Sequence, residues 1–385
     1  MKTELTATAT FGLEAVVRRE IEALGYKIIS TEDGKVTYMG DERAVVRSNL
    51  WLRSADRVFI KIGEFVADDF ETLFQNVKGF AWENIIPADG AFPVVGTSVK
   101  SALHSVPACQ SIIKKAIVSR LSEFYMLDTF EEDGAMYRVR FSILKDRVTI
   151  LVDTSGIALH KRGYRIADVA APIKETLAAA LVQLSFWDGA KATEETRPLV
   201  DTCCGSGTIP IEAALIARNI APGLYRSFAA EGWDIIDRKI WKEERAKALE
   251  AVDKTKKLNI IGFDIDNKSV VAAKRNAEKA GVGKDIKFYR LDMTSFVPRE
   301  SGGIVITNPP YGERIGNKKD IEKIYEKLSG IMKDDPTWSV FMITADRDIE
   351  EKFFGRKADR RRKLYNGRIE TQYYQFHGEK PHGCI

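Results

Sequence analysis

From Pro198 onward the chain alternates short apolar runs with helical stretches: "RPLVDTCC" then "TIPIEAALIARNI", "NIIGFDID" then "KSVVAAKRNAEKAG", "IKFYRLD", "GGIVITNPP" then "DIEKIYEKLSGIM", and "WSVFMITAD". Neighbouring parallel strands must be joined by crossovers, and the helices that make those crossovers cover both faces of the sheet. The tail "RKLYNGRIETQYYQF" differs, because Asn366–Gly367 between β-rich runs signals a tight hairpin. The pattern therefore predicts an α/β fold, a doubly wound parallel sheet that finishes in an antiparallel hairpin. The charged stretch 237–257 reads as a helix inserted after the first crossover. The preceding half mixes β-like runs (57–65, 137–144, 147–156) with a helical stretch over 108–125, in which Ile112, Ile113, Ala116, Ile117 and Leu121 share one face. Its pattern is that of one or two α+β domains, and 385 residues exceed what a single core usually holds.

Several function classes can be set aside. The N-terminal residues contain no continuous apolar leader and no stretch approaches a membrane span, so the expected location is the cytosol, with no membrane partner. Four cysteines without CxxC spacing and four scattered histidines predict free thiols and no metal site. Residues 1–165 carry 22 basic and 22 acidic side chains, so the net charge of +4 arises beyond them and any polyanion site must come from local clustering. Two clusters stand out, "HKRGYR" (160–165) and "GRKADRRRK" (355–363); either is a solvated face or a phosphate contact.

Chemistry concentrates at the predicted strand ends. In "LVDTCCGSGTIPIEAAL" (199–215) a strand ending at Cys203 or Cys204 meets Gly205 and Gly207, and a helix begins near Thr208. Such a turn brings main-chain N–H groups close to a nucleotide-sized ligand. Pro210 stands where a dinucleotide fingerprint wants its third glycine, which weakens a pyrophosphate reading. Asp201 could hold a cationic amino-acid moiety or bridge the loop. In "IIGFDID" (260–266) Asp264 closes a strand and is placed to accept two ribose hydroxyls, Ile265 can pack on a base, and Asp266 caps the next helix. Asp292, at the end of "YRLD", either accepts from an adenine amino group or closes an Asx turn. No single residue decides; three successive strand ends point to one crevice.

The fourth strand ends in "NPPY". Asn308 offers a carboxamide oxygen and Pro309 a carbonyl, while neither Pro309 nor Pro310 has an N–H to compete. Two acceptors hold an exocyclic NH₂, and Tyr311 supplies a face for an extruded base, worth ~1–3 kcal/mol in single-strand binders. Drawing both hydrogens of an aromatic amine toward acceptors frees its lone pair for attack on a methyl donor, a reaction that needs chiefly positioning.

Together "DTCCGSG", "GFDID", "LDM" and "NPPY" resemble the class I S-adenosylmethionine-dependent methyltransferases that methylate amines, over roughly residues 165–380. "VVGTSVKSALHSVPACQSIIKKAIVSRL" (94–121) looks like the core of a THUMP domain, an RNA-binding module, and the whole chain is similar to bacterial THUMP-containing RNA methylases related to the N-terminal part of the large 23S rRNA guanine-N2 methyltransferase. The resemblance implies a ferredoxin-like domain (1–60), a THUMP domain (61–160) and a Rossmann-like methyltransferase domain (161–385). It further implies S-adenosylmethionine as cofactor, held by Asp201, Cys203, Gly205, Gly207, Asp264, Ile265, Asp292 and Met293, and catalysis by Asn308, Pro309, Pro310 and Tyr311. The substrate would be guanine N2 in structured RNA, 23S rRNA above all, with adenine N6 or a tRNA guanine as alternatives, and a non-catalytic RNA-binding ribosome-assembly factor as the rival reading that an intact "NPPY" argues against. Lys161, Arg162 and Arg165 would then clamp phosphates while Tyr164 packs or stacks, and His160 would be structural or touch phosphate.

Overall fold

Two sheets, each of seven strands among the described residues, organise the chain. A computed structural model describes residues 2–166, 172–192, 194–311 and 318–379. The first sheet has the order β2-β3-β1-β4-β7-β6-β5, with β1 Thr3–Ala9, β2 Ile28–Glu32, β3 Lys35–Gly40, β4 Ala55–Val66, β5 Val94–Val99, β6 Val139–Leu144 and β7 Arg147–Asp153. Strand β4 pairs with β1 through residues 55–60 and with β7 through 59–66. Residue 60, where one N-terminal domain was expected to give way to the next, thus lies inside a strand, and the two parts share one sheet. Helix α1 (Glu14–Ala23) buries Val16, Val17 and Ile21, and α2 (Glu42–Trp51) starts on Asp41, which accepts from Ala44 N–H at 2.8 Å. Helix α3 (Phe70–Lys78) packs on α4 (Val106–Tyr125). The α4 face buries Cys109, Ile113, Ala116, Ile117 and Leu121, the expected stripe with Cys109 in place of the half-buried Ile112.

The second sheet has the order β10-β9-β8-β11-β12-β14-β13. Its parallel strands are β8 Leu199–Asp201, β9 Ile260–Asp264, β10 Ile286–Arg290, β11 Ile304–Thr307 and β12 Ser339–Thr344; β13 Arg360–Asn366 and β14 Ile369–Phe376 close it as an antiparallel hairpin. Strands β11 and β12 are buried along their whole length, as near-continuous apolar runs must be when helices cover both faces. Helix α5 (Glu175–Leu184) and α6 (Thr208–Ala217) are apolar on almost every side and bury one another. Helix α7 (Arg238–Glu250) occupies the first part of the charged stretch; residues 251–257 are not helical. Asp266 caps α8 (Asn267–Lys279), accepting from Lys268 and Ser269 N–H at 3.1 Å each, and α9 (Lys318–Asp334) precedes β12. The hairpin turns through Gly367 (φ 65) and Arg368 between the paired Asn366 and Ile369. No described helix is long and apolar enough to cross a membrane.

One hydrophobic cluster runs unbroken from the first sheet into the α5 and α6 side of the second; a smaller one fills the opposite face under α9. The segment joining the halves is correspondingly buried. Arg162, expected to clamp phosphate, is 6% exposed and donates to Leu159 O at 2.8 Å and to Arg53 O, with Glu212 of α6 at 3.5 Å. Tyr164 packs as expected and donates to the same Glu212 at 3.0 Å, while Arg53 reaches Ile220 O at 2.8 Å. Burial pushes the Glu212 carboxyl up against the pull of Arg162 and Arg53. Arg165 is likewise committed inside the protein, to Glu175 (2.9 Å), Ile173 O (3.0 Å), Ser206 (3.1 Å) and Thr208 (3.1 Å). A guanidinium covered by the protein and committed to internal acceptors cannot take a phosphate, even though Arg162 Nε is left without a hydrogen-bond partner, so of the three expected contacts only Lys161 is exposed. Removing one member of a buried ion pair leaves the other uncompensated. Arg162→Ala should therefore lower unfolding free energy by about 3 kcal/mol, against less than about 0.5 kcal/mol for Lys161→Ala, measured by urea unfolding.

Candidate active site

The carboxyl ends of β10, β9, β8 and β11 lie side by side in the sheet order, and the order reverses between β8 and β11, where a crevice forms in open α/β sheets. Strand β8 ends at Asp201, two or three residues before the expected end, so Thr202–Gly207 form the turn itself. Gly205 (φ 51) and Gly207 (φ 80) adopt the left-handed backbone the turn requires. A Cβ on Gly207 would meet Ala273 Cβ of α8 at 2.9 Å and Phe288 at 3.0 Å, so no other residue fits. Helix α6 then begins at Thr208 as expected.

Asp264 ties this turn to the neighbouring strand end. Its Oδ2 accepts from Gly205 N–H at 2.9 Å and its Oδ1 from Asp266 N–H at 2.9 Å. Each carboxylate oxygen has a second acceptor direction, so the anchored group can still receive a pair of hydroxyls. Ile265 beside it is 63% exposed, an apolar surface available to a flat ring. Asp292 is exposed and closes an Asx turn, with Oδ1 accepting from Thr294 N–H (2.9 Å) and Oγ1 (2.8 Å). The Met293 side chain points away from the crevice into the core, so only its main chain is left for a ligand contact. The Cys203 thiol is pushed up by burial and by the carboxylates of Asp201 and Asp264, and stays neutral.

At the switch point itself Thr202 and Thr307 meet hydroxyl to hydroxyl at 3.2 Å, and the Thr307 side chain also bonds the buried Asp201 carboxyl. The next residue, Asn308, has a buried Oδ1 with no hydrogen-bond partner. Such an orphan carries a desolvation penalty of about 1–3 kcal/mol, and only an incoming donor relieves it. Pro309 is buried, Pro310 and Tyr311 are half-buried, and the Tyr311 hydroxyl accepts from Asn366 Nδ2 at 2.7 Å. The hairpin thereby holds Tyr311, a contact that the turn signal at Asn366 does not reveal. The buried Tyr325 of α9, bonded to Thr344 at 2.8 Å, lies within electrostatic reach of Tyr311 and Cys203. Thr202 and Thr307 have no signature in sequence beyond their positions next to motif residues, and neither the helical position of Tyr325 nor the turn signal at Asn366 points to the crevice.

The described cysteines, Cys109, Cys203 and Cys204, are free thiols; Cys384 and residues 312–316 of the stretch after Tyr311 lie outside the described residues. Among the described residues no group of three His, Cys, Asp or Glu could hold a metal ion. Half-buried His160 has a buried, unpartnered Nδ1, and burial lowers its proton affinity.

Burial raises the Asp201 carboxyl to about 7, opposed by the Cys203 N–H and Thr307 and reinforced by Asp264. In the unfolded chain the group returns to about 3.9. Between those values the native state holds a proton that the unfolded state lacks, so this contribution is full below about pH 4 and is lost as pH rises through 7. Thermal melts of the ligand-free protein from pH 5 to 8 should show that loss, and Asp201→Asn should flatten the profile.

Residues 162–375 match the RMKL-like methyltransferase domain, residues 4–59 the RlmL ferredoxin-like domain and residues 67–153 the THUMP domain. The protein named "Putative RNA methyltransferase YpsC" from Bacillus subtilis (strain 168) is 47% identical over 377 residues, which cover 97% of this chain and 96% of that one. The ribosomal RNA large subunit methyltransferase K/L of Syntrophotalea carbinolica is 34% identical over 379 residues, 96% of this chain but 53% of the relative, so the chain spans about half the length of that larger protein. The crystal structure of SMU.472 complexed with SAH has a TM-score of 0.91 and 42% identity over 99% of both chains. The crevice with its glycine turn and the terminal hairpin thus sit in a chain that belongs to the RMKL-like methyltransferase family, with RlmL ferredoxin-like and THUMP domains ahead of the methyltransferase domain.

Proposed function

We propose that this protein uses S-adenosylmethionine to methylate an exocyclic base amine in RNA, and that the amine is guanine N2 of 23S rRNA. The observation that carries the reading is the buried, unpartnered Asn308 Oδ1 at the end of β11, next to a glycine turn braced by Asp264. When bound, S-adenosylmethionine supplies an electrophilic sulfonium methyl. The residues fit such a group: Gly205 and Gly207 keep the turn open to its amino-acid part, the buried Asp201 carboxyl braces that turn through the Cys203 N–H, Asp264 accepts the ribose hydroxyls, and Ile265 and Asp292 border the adenine.

The base is handled by the other half of the crevice. Asn308 Oδ1 and the Pro309 carbonyl accept the two amine hydrogens, and the absence of N–H groups at Pro309 and Pro310 leaves no local donor to compete. Tyr311, held by Asn366, stacks on the extruded base. The surplus proton leaves to solvent, so His160, kept neutral by burial, is not needed as a base. RNA as substrate is supported by the THUMP match and by the names of the relatives; guanine N2 in 23S rRNA is supported by the likeness to the K/L enzyme. An acceptor pair of this kind also suits adenine N6.

Labelled methyl transfer from S-adenosylmethionine to rRNA and tRNA stripped from cells lacking this protein separates these cases. Label should appear in N2-methylguanosine of 23S rRNA, and Asn308→Ala should reduce the rate by about 10²–10³, the usual effect of deleting one preorganised polar contact. Label in N6-methyladenosine would replace the base, label in tRNA would replace the RNA, and no label in either would contradict the catalytic reading.

A further inference from the structure

The second basic cluster, 355–363, has no part in the crevice, yet its residues 360–363 open β13, the edge strand that leads to it. Side chains alternate along a strand, so Arg361 and Lys363 project to one face and Arg360 and Arg362 to the other. The first pair is neutralised, Arg361 by Glu350 at 3.1 Å and Lys363 by Glu370 at 2.7 Å. Arg360 and Arg362 form no ion pair with any described residue. Arg362 donates to Gly12 O at 2.8 Å and, besides its burial, feels the repulsion of Arg19 on α1 and of Arg360. Glu14, the carboxylate whose field reaches Arg362, has both oxygens occupied by Gly12 and Gly34 N–H at 2.9 Å. Three guanidiniums from two domains thus lie within one another's field, with the Glu14 carboxylate, itself bonded to the two N–H groups, as the counter-charge that reaches Arg362.

Aromatic rings flank them. The Arg19 guanidinium lies over Phe186 at 5.5 Å, and Phe186 is 57% exposed in a left-handed backbone (φ 54) that a bulky residue rarely adopts. Phe11, 45% exposed, meets Tyr365 edge-on at 6.2 Å. Gly12 seats this junction, because a Cβ there would lie 2.5 Å from Lys363 O. Alternate residues of a strand stand ~7 Å apart, a regular spacing of cations, and from Arg362 the strand needs only ~13 Å to reach Asn366, which holds Tyr311.

We infer that Arg19, Arg360 and Arg362, with Phe11 and Phe186, form an RNA-backbone track, separate from the THUMP domain, that carries the strand flanking the target base toward Tyr311. The track rests on the RNA reading above. Phosphates neutralise the three guanidiniums, and flanking bases stack on the exposed rings.

Filter binding of 23S rRNA from cells lacking this protein, titrated between about 50 and 200 mM salt, tests it with the double variant Arg19→Gln/Arg360→Gln. Each lost phosphate contact to a single strand removes about 0.7 from the slope of log affinity against log salt, so the variant should be shallower by about 1.4. Its binding of S-adenosylhomocysteine and its melting temperature should match the parent protein. Should the double variant fold poorly, Arg360→Gln alone should lose about half as much slope. An unchanged slope in a folded variant overturns the track and leaves the RNA reading standing; a parent protein that does not bind this RNA overturns both.

Discussion

Parallel strands cannot be joined end to end, so β8, β9, β10, β11 and β12 all discharge at one edge of the sheet, and everything chemical in this protein depends on that constraint. Where the strand order reverses, between β8 and β11, the crossovers leave in opposite directions and open a crevice. The Gly205 N–H to Asp264 bond then stitches one wall together, and the Thr202–Thr307 contact closes its base. Within that frame the amide oxygen of Asn308 is buried yet unpaired. Such an atom is costly to leave unpaired, and the acceptor role proposed for it at the mouth of β11 rests on that.

The joint between the two halves is built from buried polar contacts. Arg162 and Tyr164 converge on Glu212 in the middle of α6, and Arg165 grips Ser206 and Thr208 at the start of the same helix. Asn276 of α8 adds to the grip, donating to Ser206 O at 3.1 Å and accepting from Ile166 N–H at 3.0 Å. The segment that leads out of the first sheet is thus wired into the glycine turn. A buried ionic cluster of this sort contributes little net stability, but breaking it is expensive, so it favours one relative placement of the halves.

Much of this was legible from sequence. Gly205, Gly207, Asp264 and the Asp266 cap lie at strand ends and helix starts where the local pattern put them, as do the α4 stripe and the Asn366–Gly367 hairpin, although Gly205 and Asp264 also meet across 59 positions. What was not legible depends on long-range partners. "HKRGYR" reads as a phosphate clamp because a linear run of cations does not show that Arg162 meets Glu212 fifty positions later or that Arg165 meets the glycine turn. That the first two domains share strand β4 is illegible for the same reason, because strand pairing across a sheet joins residues far apart in sequence. Met293 illustrates a third limit, because a residue beside a site can face the core when its neighbour Asp292 closes an Asx turn.

Calorimetric titration of S-adenosylhomocysteine into the parent protein, Asp264→Ala and Asn308→Ala tests the account most directly, because it separates the two walls of the crevice. Losing hydrogen bonds to a charged group should weaken binding about 10- to 100-fold in Asp264→Ala, while Asn308→Ala should bind as the parent does. Equal affinity in parent and Asp264→Ala, or loss of binding in Asn308→Ala alone, would contradict it.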